Sequence, residues 1–372
     1  MKLYSIWEKR SFLDAAHYVV VGAGITGIST AYHLKKLYPK ASVKVIEKSP
    51  FPGGASTKNA GFACIGSPSE LLDDLRKSSP NEVFSLVEQR WKGLQILRTL
   101  LGDDNIGYEP LASHELFLEN DTELYQQCLE HLETFNKELK SIMGLEKSFE
   151  TVTQENQSWG FNGFSRAIRC AAEGQLDTGK MMQSWLALAR SAGVEFLFGL
   201  QALEFSKNQL ETNYGPIPYG KLMLCTNGLT KKLVPQLEID PARAQVLLTT
   251  PIDGLRFQGP FHYDRGYFYF RNLGNRVLFG GGRQKDFEGE TTTEEATSVL
   301  IQDTLENHLK NYILPGMEFD IEHRWAGIMG VGTKKQPILK QVDENIWCAV
   351  RLGGMGVALG SLLGKELSEM IN

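Results

Sequence analysis

Apolar and polar positions fall into a clear order between Tyr18 and Lys48. Val19, Val20 and Val21 form an unbroken β-branched run, the pattern of a strand buried on both faces. From Ile25 to Lys36 the interval changes: Ile25, Ile28, Ala31 and Tyr32 recur at helical spacing, and Pro39 lies just past the end. Val43 to Ile46 is again a short apolar run, closed by Glu47. The pattern predicts strand, helix, strand.

Further along, Ser67 to Leu101 reads as helical, with Leu71, Leu72 and Leu75 before a break at Pro80. Val83, Leu86, Val87, Arg90, Leu94 and Leu97 follow at the same spacing. Tyr108 to Leu118 predicts a strand, Leu124 to Leu139 an amphipathic helix, and Phe161 to Ala172 an extended or looped segment. Asp177 to Gly193 is a helix with an N-cap candidate and a terminal glycine, and Val194 to Phe198 a short strand returning to the first sheet. From Ala244 the runs shorten. Gln245 to Thr250, Gly266 to Arg271 and Arg276 to Gly280 are aromatic or β-branched stretches between Gly, Asn and Asp turns, which predicts an antiparallel meander. Thr293 to Tyr312 is expected to be a helix ended by Pro315-Gly316. Glu322 to Ile328 and Ile346 to Val350 are expected in the first domain, with Val357 to Ile371 as the closing helix. Residues 1 to 17 read as an arm, with Trp7 as an anchor.

Gly22, Gly24 and Gly27 complete G-x-G-x-x-G between the first strand and its helix. The first glycine permits a tight turn, the second lets backbone approach a pyrophosphate, and the third lets the helix sit against the strand. Ile25 and Thr26 open the helix, whose free N–H groups and positive dipole end suit phosphate. Glu47 follows Gly27 at the distance where a carboxylate reaches both ribose hydroxyls, which also disfavours a 2′-phosphate. A dinucleotide is implied, with FAD and NAD both open at this point.

Pro52 to Phe62 is a second loop of small residues, containing Gly54, Ala55, Ser56, Asn59, Ala60 and Gly61 just after Glu47-Lys48. It resembles the G-A-S-x-x-N-x-G segment of the FAD-dependent family of D-amino-acid oxidase, glycine oxidase and sarcosine oxidase. Three further stretches are similar to that family's motifs. Leu222 to Gly228, with Thr226, Asn227 and Gly228, resembles its strand ending in A-T-G. Trp325 to Ile328 resembles W-A-G-L, and Leu352 to Val357 resembles the glycine turn before the last helix. The resemblance implies FAD, and Gly353, Gly354, Met355, Gly356 and Val357 at the flavin's pyrimidine edge. It implies a fold that is α/β (α+β overall), a Rossmann-like FAD-binding domain with an interleaved antiparallel-sheet substrate domain. The expected division is 1–70, 165–243 and 320–372 for the first, 71–164 and 244–319 for the second.

The resemblance also fails in places. Many members carry W-A-G-L-R-P, whose Arg grips a substrate carboxylate; here Met329 stands at that position. The aligned stretch has no Cys where sarcosine oxidase anchors its flavin, so non-covalent FAD is expected. Leu278 stands where some members have a lysine that assists oxygen activation. Replacement groups are sought at Tyr267, Tyr269 and Arg271, which alternate on one face of a strand. An aromatic sheet core with a surface Arg is the plain alternative. Arg351 and Lys334 are candidate carboxylate partners, and Cys64 is expected near the ring as a buried thiol. No role is assigned to His114, His262 or His323.

These residues point to an FAD-dependent oxidation of a C–N bond in a small amine or N-substituted amino acid, with oxygen or an unknown partner as acceptor. A tRNA-modifying enzyme and an FAD-bound protein without catalysis are the alternatives. Charge weighs against the former, because a net −5 over 372 residues offers no general attraction to nucleic acid or anionic membrane. Five scattered cysteines (Cys64, Cys128, Cys170, Cys225, Cys348) show no metal spacing. With no signal-peptide core or 18-residue apolar run, a reducing, cytoplasmic setting is expected.

Overall fold

Val19 to Val21 are buried because the strand Ala16–Val21 runs through the middle of a sheet, with a parallel strand on each side. In this computed structural model, which describes residues 4–152 and 158–371, that sheet has the order Ile338–Asp343, Ile346–Val350, Gly215–Leu224, Ala16–Val21, Val43–Glu47, Glu195–Phe198. The central pairs are parallel, and the sequence distance between neighbours is bridged by helices, as parallel pairing requires. The hairpin Ala202–Ser206 and Gln209–Thr212 extends from one end of Gly215–Leu224.

A second sheet runs Ile321–Val331, Asp240–Thr249, Arg276–Gly281, Phe268–Leu273, Pro260–Tyr263, Ser113–Leu118, Phe164–Cys170, Phe149–Val152. It is antiparallel except where Ser113–Leu118 lies parallel to Pro260–Tyr263. One face packs Phe261, Phe268, Phe270 and Phe279 against Val299–His308. The opposite face carries Val246, Leu248 and Leu278 toward Ala60 of the small-residue loop.

Several expectations change here. Ile321–Val331 pairs along its whole length with Asp240–Thr249, and Phe164–Cys170 is a strand beside Ser113–Leu118. Both therefore lie in the second sheet, although the sequence reading put them in the first domain. Pairing between segments far apart in the chain leaves no mark in either strand's own pattern. Ser67 to Leu101 keeps the expected break at Pro80 and forms two helices, Pro68–Leu75 and Pro80–Leu101, each with a Pro in its first turn and a Ser–Glu capping box. The helix expected from Thr293 starts only at Val299, since the Ser298 N–H donates to Gln245 Oε1 at 3.0 Å and holds the preceding turn as a loop. The strand expected from Tyr108 is limited to Ser113–Leu118.

The arm begins with residues 1–3, which lie outside the described residues; Ile6–Ser11 is a short helix. Trp7 is 72% exposed and anchors nothing. The arm is tied instead by Lys44, buried in the second strand, whose ammonium pairs with the Asp14 carboxylate and donates to Phe12 O at 3.2 Å.

Two helices decide where the site lies. Ile25–Leu37 and Gly356–Met370 cross closely: a Cβ on Gly364 would meet Thr26 O at 2.5 Å, and Ser29 Oγ donates to Ser361 O at 2.7 Å. Pro80–Leu101 packs on the same helix through Gly93, whose Cβ would lie 1.9 Å from Ala358 O. This contact fixes the N-terminal ends of Ile25–Leu37 and Gly356–Met370 on one cavity.

Candidate functional site

The cavity has a volume of about 750 Å³, in the upper part of the range for small-molecule sites. One end is built by the first strand–helix turn. Gly22, Gly24, Ile25 and Thr26 line it, and Gly24 is an N-cap with no side chain to satisfy the helix's first N–H groups. Ser56 closes this turn on the second loop, accepting from Ile25 N at 3.0 Å; a Cβ on Gly24 would lie 2.9 Å from its Oγ. Glu47 lines the cavity too, and its carboxylate accepts from Ala23 N and Ser49 N, each at 3.0 Å. Lys48, Gly54, Ala55, Asn59 and Ala60 continue the wall. The Asn59 side chain folds this loop, accepting from Gly61 N at 2.8 Å and donating to Ala55 O at 3.0 Å.

The other side is the last glycine turn. Gly353, Gly354, Met355, Gly356 and Val357 line the cavity, and Gly353 and Gly354 take the left-handed φ values of 56° and 85°. A Cβ on Gly353 or Gly356 would meet nothing within 4 Å, so the turn borders open space. The Gly353 N–H is not available to a ligand, because it donates to Gly330 O at 3.0 Å. The helix start at Gly356 leaves its first N–H groups without intrahelical partners.

Thr226 and Asn227 line the cavity, while Gly27, Gly61 and Gly228 do not. Each of these three is a close backbone approach. A Cβ would lie 1.9 Å from Gly22 O at Gly27, 2.3 Å from Leu176 O at Gly61, and 2.2 Å from Met329 O at Gly228.

The wall opposite is the second sheet. Glu115, His262, Tyr269, Gly280 and Val246 stand in register across its strands, on the cavity face. Tyr267 and Tyr269 line the cavity, and the Tyr269 ring lies over Gly280; burial pushes its hydroxyl up to about 12. Arg271, on the same face, does not line the cavity. It is buried, with Nε donating to Ala60 O at 2.5 Å and Nη2 to Leu176 O at 3.1 Å, and burial pushes it down to about 10. Arg271 therefore ties the small-residue loop to the sheet and is not placed as an anion partner. Arg351 lines the cavity, but Nε donates to Gln336 O at 2.9 Å and Nη1 to Glu238 O at 3.0 Å. Met329 faces the cavity beside Gly354, and Lys334 lies on its rim. Leu278 is in the apolar layer under Ala60.

Cys64 lines the cavity with Sγ 3.9 Å from Met355 Sδ, and burial, with Glu173 and Glu70 nearby, holds its thiol protonated at neutral pH. Beyond it are residues the sequence reading missed: Glu70, Arg90, Glu173 and His262. Their signals were present but ambiguous. Arg90 sits in an otherwise apolar helical stripe, Glu70 follows a capping serine, and His262 lies in an aromatic strand. His114 is a core histidine stacked 5.1 Å from Phe261, and His323 is exposed beside Glu322.

The arrangement fits FAD. Two helix N-termini face one cavity, a carboxylate ends the second strand, and small-residue turns leave room along the wall between them. Among the described residues no group of three His, Cys, Asp or Glu side chains is placed to hold a metal ion, and no helix is long and apolar enough to cross a membrane.

Comparison with known proteins agrees with this geometry. Residues 17–370 match the model of the family described as FAD dependent oxidoreductase. The probable oxidoreductase OrdL of Rhizobium meliloti is 22% identical over 95% of this chain and 82% of its own length. A D-amino acid dehydrogenase of Helicobacter pylori is 27% identical over 52% of this chain and 54% of its own. Among solved structures, L-proline dehydrogenase from P. horikoshii shares the fold, with a TM-score of 0.76 and 16% identity over 96% of this chain and 94% of that one. The chain belongs to the FAD-dependent oxidoreductase family, an enzyme of the amino-acid oxidase and dehydrogenase type.

Proposed function

We propose that this oxidoreductase oxidises the C–N bond of a small amine or N-substituted amino acid, by hydride transfer to non-covalently held FAD. The observation that carries the reading is one cavity that joins two helix N-termini to a wall of Tyr267, Tyr269, Ile328 and Met329. Bound FAD supplies the hydride acceptor. The chain's part is to place and shield. The Tyr269 hydroxyl stays protonated at neutral pH, so the wall offers an aromatic face and a hydrogen-bond donor without charge. The helix start at Gly356 presents N–H groups and a positive dipole end where negative charge develops on reduction.

Non-covalent attachment is supported by the state of the two cavity cysteines: burial pushes Cys225 up to about 12 and Cys64 well above its usual range, so neither is a thiolate. The names of relatives, D-amino acid dehydrogenase among them, support the C–N bond as the target. The test is anaerobic mixing of FAD-loaded protein with a panel of amines and amino acids. Bleaching of the flavin band by at least one supports the reading, and none across a broad panel overturns it. Oxygen as acceptor is checked by whether the bleached enzyme recovers its colour in air.

A further inference from the structure

The inner end of the cavity carries charge that the cofactor reading leaves unused. Glu70 lines the cavity from the first turn of Pro68–Leu75. Its Oε2 accepts from Ser67 N at 2.9 Å, the capping bond, and among the described residues no cation lies within ion-pairing distance of it. Two of the nearby cations are paired with other carboxylates, whereas Arg90 donates to a backbone carbonyl and its Nε has no hydrogen-bond partner among the described residues. Lys335 Nζ is 2.6 Å from Asp74, Arg265 pairs with Asp73, and Arg90 Nη1 donates to Ile65 O at 2.7 Å. Burial pushes the Glu70 carboxyl up, but Lys335, Arg90 and the Ser67 N–H hold it below the ordinary range, so it is ionised.

A second observation is independent of the carboxylates. His262 is 8% exposed and stands on the cavity face of the sheet, with no hydrogen-bond partner for its Nδ1. Burial lowers its pKa, so it is neutral and has a lone pair to offer. Two glycines keep the approach open. A Cβ on Gly66 would sit 2.9 Å from Arg90 Nη1 and 3.9 Å from Glu70 Oε2, and one on Gly266 would sit 2.9 Å from Glu70 Oε1. An ionised carboxylate and a neutral imidazole lining one space suit a cationic donor.

We propose that Glu70 and His262 form a recognition site for a second positive charge on the substrate, so that the preferred class is an amine with a distal ammonium group. This rests on the C–N oxidation reading above. The nitrogen held here is not the one oxidised. Hydride loss from carbon needs the lone pair of the attached nitrogen, whereas an ionised carboxylate keeps its partner protonated. The apolar Met329 side chain on the same cavity offers no grip for an anionic tail.

The test uses FAD-loaded protein, anaerobic calorimetry and three probes with the same leading amine: 1,4-diaminobutane, 1-aminobutane and 4-aminobutanoate. Their tails are cationic, neutral and anionic. The expected result is binding of the diamine about tenfold or more tighter than either of the others. Glu70→Gln keeps the helix cap, because Gln at the third position also reaches back to the capping N–H. It is expected to retain FAD and the melting temperature while erasing the diamine preference. His262→Gln is expected to reduce the preference several-fold. The proposal is overturned if the wild type does not favour the diamine, if 4-aminobutanoate binds best, or if Glu70→Gln leaves the order intact. The two readings fail separately. Flavin bleaching without a charge preference sinks the recognition site alone, and a Glu70-dependent preference without bleaching by any amine sinks the oxidation alone.

Discussion

The side-chain oxygen of Asn227 accepts from the backbone N–H of Arg351 at 3.0 Å and from that of Leu352 at 3.4 Å. Both ends of this contact are in the left-handed region, with φ of 46° at Asn227 and 64° at Arg351. The turn that follows strand Gly215–Leu224 thus holds the last glycine turn in place. Asn227→Ala leaves two partly buried N–H groups without an acceptor, at a cost of about 1–3 kcal/mol each. It also loses a residue that tolerates this conformation. The expected outcome is a lower melting temperature and about tenfold weaker FAD binding, measured by thermal unfolding and by fluorescence titration. Asn227→Asp retains the acceptor and is expected to recover most of both. Unchanged FAD affinity in the alanine variant would show that the turn holds itself.

Gly27 and Gly22 make the second prediction. A Cβ at position 27 would lie 1.9 Å from Gly22 O, so the helix must move away from the strand to admit even one methyl group. Helix Ile25–Leu37 is also locked to Gly356–Met370, which leaves it little freedom to move. Gly27→Ala is expected to destabilise by about 1–3 kcal/mol, as overpacking of a close contact does, and to abolish FAD retention on purification. Gly54→Ala is the control, since nothing lies within 4 Å of its Cβ position. Equal loss of stability in both variants would sink the packing explanation.

Much of this was legible in the sequence because the cofactor end is local. The turn at Gly22 to Gly27, the carboxylate at Glu47 and the loop through Asn59 lie within one continuous stretch, and their spacing is set by one strand–helix–strand unit. The substrate end is not local. His262, Glu70, Arg90 and Glu173 reach the cavity from a strand, two helices and a loop that only the tertiary fold assembles. Arg271 illustrates the limit most clearly. Alternation correctly put it on the face of Tyr269, although Tyr267 lies in the turn before the strand, and only the structure shows its guanidinium spent on Ala60 O and Leu176 O. The misplacement of Ile321–Val331 has a similar origin, because strand pairing between distant segments leaves no trace in local periodicity.

Glu115 gives a prediction in pH. It is 2% exposed, and burial raises its carboxyl to about 7, against bonds from Ser69 and Ser67 that favour the charged form. The folded pKa lies above the unfolded one, so between pH 4.5 and 7 the unfolded chain loses this proton first. The folded state is therefore destabilised progressively as pH rises through that window. Buried histidines act the other way: His114 and His308, each held near 4, take stability away as pH falls below 6.5. The Glu115 contribution is isolated by difference. The stability of the wild type relative to Glu115→Gln is expected to fall from pH 5 to pH 8, by on the order of 3 kcal/mol at most. Urea unfolding at four pH values measures it, and a flat difference would show that Glu115 is ionised throughout.

Met329 offers a gain of function. Its side chain is half-buried on the cavity wall, with Sδ 3.3 Å from the Cβ position of Gly354. Main-chain pairing with Ala242 fixes the direction of the residue, so a longer side chain at 329 must extend along the cavity. Met329→Arg would put a planar cation beside the proposed flavin position, where a carboxylate can accept two parallel bonds. The site is partly open to solvent, so the gain belongs at the lower end of the range for charged hydrogen bonds, about tenfold. Propanoate carries a carboxylate and no amine, so it reports binding without turnover. Its affinity, read from the shift of the flavin absorbance, is expected to rise about tenfold in the variant. Affinity for 1-aminobutane is expected to fall, because the new cation repels an ammonium. If propanoate binds both proteins equally, position 329 does not face the substrate and the oxidation site must be placed elsewhere on the cavity wall.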